Sequence, residues 1–432
     1  MERYMIRPKN PQALQNNYPR LKGFDLKGFD SKARDNYLDV LTSISKEDDP
    51  VYREMGRWME DAIHTSEVRK ILDINQLGGF TGTIFAEMTE EQANRIQQEV
   101  SDVHVLRDGP MNLIDPIRRL FSTHKAKIDK NDLWHLEAIG LVEARKHGFS
   151  GSGEGVVVAI LDTGIDPRHP EIRSNVVADA YDIQKAFGEI NPNLRDLDNL
   201  ANQIKVYSRD TDGHGTHVSG LICGKKVGVA PATKMLNEIM LPNGQGTKFY
   251  YAMAMQLAIT LAKSRPGLRL VNVSAGINGN VPDLREDVLA LIEAGILPVF
   301  ATGNEGRNTA RSPGRFVEPL SVGAVRKKGD VFMVAGFSSG ATIIDNENGV
   351  TYNVPDLVAP GDDVYSCVRG GGYEAWDGTS MATPIVSGIA ALVLEKHPSI
   401  GVQDLIGELL RNCEALPDFP ENRQGGGLIK VV

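Results

Sequence analysis

The chain has 432 residues, 41% hydrophobic and 24% charged, with 44 glycines. This is an ordinary globular composition, long enough for one large domain with a full core and one or two small ones. A net charge of −9 argues against a nucleic-acid surface as the main function, and no run reaches the apolar length of a membrane span. Three scattered cysteines, Cys223, Cys367 and Cys413, suggest neither a disulfide framework nor a zinc site.

The first ten residues lack the apolar core of a secretory signal. The expected location is therefore the cytoplasm, or outside the cell if a signal precedes these residues. Residues 1–70 read as a charged, partly helical extension, with helices expected over Lys32–Ser43 and Val51–His64. Thr83–Met88 alternates like a strand, and Thr89-Glu90-Glu91-Gln92 has the form of a capping box opening a helix. Ala93, Ile96 and Val100 share one face of that helix, and Val103–Leu106 is a second strand. Residues 71–110 thus hold half of a small α+β module; from Gly109 to roughly Lys130 the pattern breaks down into Gly, Pro and mixed charge, so 111–133 reads as a linker.

From 134 to 432 strands and helices alternate. Val156–Leu161 is an unbroken apolar run, and Thr247 reads as the N-cap of a helix through Lys263. Leu268–Val273 is a strand, Leu284–Ala294 a helix closed by Gly295, and Ile296–Ala301 a further strand. Such alternation implies an α/β fold, a mostly parallel sheet with helices on both faces, whose functional groups gather at the carboxyl ends of the strands. The glycine run Gly151–Gly155 precedes its strand, whereas a dinucleotide loop must follow one.

Candidates for chemistry sit where that rule points. Asp162 ends the first strand of this domain, His214 opens a helix in Asp-Gly-His-Gly-Thr-His, and Asn304 follows the strand ending at Ala301. Ser380, in Gly-Thr-Ser-Met-Ala-Thr-Pro, opens an apolar helix with Pro384 expected in its first turn. Singly, these residues read as a turn former, a packed histidine, a turn and a helix cap. Together they supply a nucleophile, a base to take its proton, a carboxylate to orient that base, and an amide to hold an oxyanion.

With these segments the chain resembles the subtilisin-like serine proteases, the subtilases. The matching stretches are Val157–Pro170, Asp212–Gly220, Ala301–Gly306 and Gly378–Pro384. The resemblance implies a triad of Asp162, His214 and Ser380, with Asn304 as oxyanion donor. It further implies that Ser274, Ala275 and Gly276 pair with an extended polypeptide substrate. Ala301, Thr302 and Gly303 line the first specificity pocket, with Glu305 at its rim and Met240–Gly244 as the opposite wall. The module at 71–110 resembles the family's inhibitory propeptide, a ferredoxin-like partner of the enzyme's own cleft. Maturation is then expected between Met111 and Lys130, or at Arg118-Arg119 by another protease. Oligomeric state is left open.

Departures from the family are also visible. Asp162 and His214 lie 52 positions apart, which implies an inserted loop near Ala180–Asn202. Its Asp179, Asp196 and Asp198 are candidates for structural calcium, a common family cofactor, though a solvated polar loop is the plainer reading; the chemistry itself needs no cofactor. Glu238 stands where a basic residue is expected. The reading is a serine endopeptidase of broad specificity made as a self-processed precursor; the alternative is a catalytically silent scaffold of the same fold.

Overall fold

A computed structural model describes residues 2–8, 84–99, 103–117, 123–188, 197–345 and 349–431. The helices expected over Lys32–Ser43 and Val51–His64 and the dibasic Arg118-Arg119 lie outside the described residues. The chain divides into two compact units, the larger comprising Pro110–Lys185 and Ile204–Val432.

In the smaller unit, strand β1 (Glu2–Pro8) lies between β2 (Ile84–Met88) and β3 (Val103–Arg107), antiparallel to both, with helix α1 (Glu90–Glu99) linking the outer two. Thr89 and Gln92 form the expected capping box, each side chain taking the other's backbone N–H. The two strands read from the sequence do not pair with each other. The central strand comes instead from the N-terminus, within the stretch expected to be an extension. Met5, Ile6, Met88, Ala93 and Ile96 are buried.

The larger unit begins with β4 (Pro110–Leu113). An 11-stranded sheet follows, built on β5 (Val157–Asp162), β6 (Val176–Asp182), β7 (Lys205–Tyr207) and β8 (Lys234–Ile239). Helix α2 (His214–Cys223) precedes β8, while β9 (Gln245–Thr247) leads into α3 (Lys248–Ser264). Thr247 caps α3 as expected, accepting the Tyr250 N–H. Next come β10 (Leu268–Val273), β11 (Ala275–Asn278), α4 (Arg285–Glu293), β12 (Leu297–Ala301), β13 (Arg311–Ser312) and β14 (Leu320–Lys328). The remaining strands are β15 (Val331–Val334), β16 (Ala341–Asp345), β17 (Val350–Val354), β18 (Leu357–Pro360), β19 (Val364–Cys367) and β20 (Tyr373–Trp376). Helix α5 (Thr379–Lys396) and α6 (Val402–Arg411) precede a short pair, β21 (Cys413–Glu414) and β22 (Leu428–Ile429).

The large sheet runs β21-β22-β18-β14-β12-β10-β5-β8-β6-β7, with β15 on β14. Its central pairs are all parallel, and antiparallel pairing is confined to β6–β7, β14–β15 and β21–β22. The central strands, exemplified by Val158–Leu161 and Leu297–Ala301, are fully buried, as parallel strands covered on both faces must be.

Helix α5 is buried along nearly its whole length, which explains why its sequence is apolar all round. Pro384 lies a full turn into this helix rather than in its first turn. Lacking an N–H, it cannot bond the Ser380 carbonyl four residues back; the Ser274 hydroxyl donates to that oxygen instead, at 3.2 Å. Glu238 is fully buried on β8 with no hydrogen-bond partner among the described residues for either carboxylate oxygen, and burial holds it well above the usual carboxyl range.

Candidate active site

Asp162 and His214 meet at the carboxyl end of β5, both fully buried. His214 Nδ1 lies 2.9 and 3.0 Å from the two Asp162 carboxylate oxygens. Burial pulls the imidazole pKa down, Asp162 and behind it Asp212 and Asp210 raise it, and the net shift is upward. The other ring nitrogen, Nε2, has no hydrogen-bond partner among the described residues.

A second carboxylate, absent from the sequence expectations, holds the loop that carries His214. Asp210 accepts from the Thr163 hydroxyl, from the backbone N–H groups of Asp212, Gly213 and Thr216, and from the Thr216 hydroxyl. Thr163 Oγ1 in turn takes the Gly215 N–H. Gly215 is required here, because a Cβ would sit 2.1 Å from the Gly164 carbonyl oxygen. The only sequence signal was an aspartate four residues before the histidine.

Ser380 is the second residue of α5, at the helix end where backbone N–H groups have no partner within the helix. Asn304 lies beside it: its Oδ1 accepts from the Thr379 N–H at 2.9 Å and from the Thr379 hydroxyl at 3.0 Å. With the oxygen held there, the Nδ2 donors face outward, one reaching the Asp115 carbonyl at 3.0 Å.

The expected substrate edge is occupied by the chain itself. β4 runs antiparallel between β11 and β9, with Leu113 opposite Ala275, Asn112 opposite Gly276, and Met111 opposite Gly246. The Ile114 N–H donates to the Ser274 carbonyl at 3.1 Å, and Ser380 Oγ donates to the Ile114 carbonyl at 2.8 Å. The Ile117 N–H reaches the Asp377 carbonyl at 2.7 Å. Met111 and Ile114 are fully buried. The strand facing β11 across this segment is Gln245–Thr247, just past the Met240–Gly244 stretch expected to form that wall.

Ala301, Thr302 and Gly303 are buried beside this segment, with the Gly303 N–H on the Thr379 hydroxyl at 3.3 Å. Glu305 is tied to Arg311 through the guanidinium Nε and Nη2, at 2.8 and 2.5 Å, and takes the Ser339 hydroxyl at 3.1 Å. Arg311 was not anticipated; its Nη1 lies 3.4 Å from the carbonyls of both Leu113 and Gly276.

Of the calcium candidates, Asp179 pairs with Lys205 at 2.6 Å, and the side chains of Asp196 and Asp198 lie outside the described part. Among the described residues no cluster of three or more His, Cys, Asp or Glu is arranged to hold a metal. Cys223 and Cys367 are buried, and burial pushes both thiols up.

Sequence comparison follows the same lines. The chain is 32% identical over 295 residues to an intracellular serine protease of Paenibacillus polymyxa, covering 65% of this chain and 80% of that protein. It is 32% identical over 307 residues to the subtilisin-like protease PopC of Myxococcus xanthus, covering 65% of this chain but 60% of PopC. Among solved structures, sphericase superposes with a TM-score of 0.59 at 26% identity, over 71% of this chain and 100% of that one. Fervidolysin from Fervidobacterium pennivorans shares the fold at a TM-score of 0.66 and 22% identity, over 100% of this chain and 60% of that one. The family model for peptidase S8 matches residues 153–427, and the chain belongs to the subtilase family of subtilisin-like serine endopeptidases.

Proposed function

We propose that the chain hydrolyses polypeptides through an acyl-enzyme, with Ser380 as nucleophile, His214 as base, Asp162 as its orienting carboxylate and Asn304 as oxyanion donor. The observation that carries this reading is the chain's own segment at the cleft, its Ile114 carbonyl 2.8 Å from Ser380 Oγ. An extended strand added to an edge is how such a site takes a polypeptide largely through its main chain, which favours broad specificity.

In the first step His214 Nε2 takes the Ser380 proton while Oγ bonds to the substrate carbonyl carbon. The oxygen that becomes negative is met by the Asn304 amide and by the start of α5. His214 then returns the proton to the leaving nitrogen as the C–N bond breaks. Water repeats the sequence on the acyl-enzyme, releasing the acid and restoring Ser380.

The occupied edge also supports a precursor that processes itself, with Ile114–Asp115 as the bond presented. Its register is that of an inhibitor more than a substrate. Asn304 holds the carbonyl of Asp115, one residue beyond the carbonyl that Ser380 touches. Pro116 has no N–H to offer, and the Asp377 carbonyl takes Ile117 instead.

A cytoplasmic role is favoured by the relative named as intracellular. No helix among the described residues is long and apolar enough to cross a membrane. Incubating the purified chain beside Ser380→Ala, with fluorophosphonate labelling and intact mass, tests the reading. Labelling at Ser380 and shortening in the parent alone are expected. No labelling under any condition, including after removal of the first ~130 residues, would leave a silent scaffold.

A further inference from the structure

The indole of Trp376 lies over two imidazoles at once. It ends β20, opposite Val364 of β19, and is nearly buried. Its ring is parallel to that of His217 at 4.2 Å between centroids with a 4° tilt, and stacked on that of His214 at 6.1 Å and 20°. The two histidines are three residues apart on α2, so one face of the helix presents both.

Glu374 fixes the arrangement from its edge. Its carboxylate accepts the Trp376 Nε1–H at 3.0 Å, and its carbonyl accepts from His217 Nε2, also at 3.0 Å. That bond makes Nε2 the protonated nitrogen of a neutral His217. Burial pushes the pKa of His217 down to about 3, so of the two stacked imidazoles only His214 takes up a proton near neutrality.

We propose that Trp376 is a positioning residue for His214, whose indole face holds the imidazole in plane and stabilises the imidazolium formed while it carries the Ser380 proton. An indole face is electron-rich and attracts a cation within about 6 Å of its centre. The charged groups that act on His214 are Asp162 from β5 and Asp210 and Asp212 from the loop before α2. Those carboxylates act on the ring through its Nδ1 edge and the preceding loop, whereas Trp376 acts on a ring face. The inference rests on His214 being the base, but the indole's effect on its titration is measurable without any catalysis.

The test is a titration of the histidine ring signals by NMR in the full chain carrying Ser380→Ala, with and without Trp376→Leu or Trp376→Phe. Leucine keeps apolar cover but removes the π face; phenylalanine keeps a weaker face. The expected result is a His214 midpoint lowered by about half a pH unit with leucine and by less with phenylalanine. In chains that retain Ser380, the acid limb of kcat/KM on a peptide substrate should move by the same amount, with roughly a threefold loss on its plateau. An unchanged midpoint in a folded Trp376→Leu chain overturns the proposal. If that chain does not fold, an unchanged midpoint with phenylalanine does so. A shifted midpoint in a chain that never cleaves peptides upholds the indole's role and refutes the protease reading instead.

Discussion

Around Asp162 and His214 the polar partners belong to one permanent network, in which Asp210 gathers five donors from Thr163 and the loop at 212–216. Around Ser380 and Asn304 the outward donors are instead aimed at Ile114 and Asp115, residues of the segment lying across the cleft. The first half is assembled by the fold whether or not the cleft is filled. The second half has its working donors defined by whatever main chain lies across it. On the proposed reading, inhibition and catalysis draw on the same atoms, and the register of the occupant separates them.

The strongest way to break this contrast is to disable the permanent network. Asp210→Ala should leave several buried donors without an acceptor and cost about 3–5 kcal/mol of stability, read by denaturant unfolding of the Ser380→Ala chain. Asn304→Ala should leave the fold intact and lower kcat on peptides by about 10²–10³-fold, a scale taken from subtilisin itself. A larger stability loss with Asn304→Ala than with Asp210→Ala would reverse the contrast.

A carboxyl outside both halves sharpens the pH readings. Asp356, buried and accepting the N–H and hydroxyl of Ser321, has its pKa pushed up by burial from 3.8 to about 6. Between those values the folded chain keeps a proton that the unfolded chain has lost, so stability falls as pH rises through that window. Relative to Asp356→Asn, the parent should lose about 2 kcal/mol between pH 4 and 6, measured by unfolding at each pH. The smallest expected effect concerns register. Pro116→Ala restores an N–H and should speed cutting at Ile114–Asp115 by roughly 2–10-fold, followed by intact mass, with cutting slower than in the parent counting against the register argument.

The parallel sheet was legible because its strands are continuous apolar runs ended by glycine and polar turns, and Leu268–Val273 was placed to the residue. Asp162 and His214, which the structure brings together, were expected because each sits in a long, distinctive segment. What escaped was non-local. Glu2–Pro8 has too little alternation to announce a central strand, and its role depends on pairing with residues some eighty and a hundred positions away. Trp376 and Arg311 act through neighbours that converge only in three dimensions. Pro384 shows the limit of a positional rule: proline near a helix start suggests the first turn, yet the buried setting of α5 accepts it a turn later because Ser274 supplies the missing donor.

That last arrangement links two tasks at one residue. Ser274 presents its carbonyl to the Ile114 N–H of the segment in the cleft and its hydroxyl to the carbonyl of Ser380. A displacement of the guiding edge is therefore felt directly at the helix start that aims Ser380. On the proposed reading, tolerance for a misaligned peptide and accuracy of attack are then not separately adjustable.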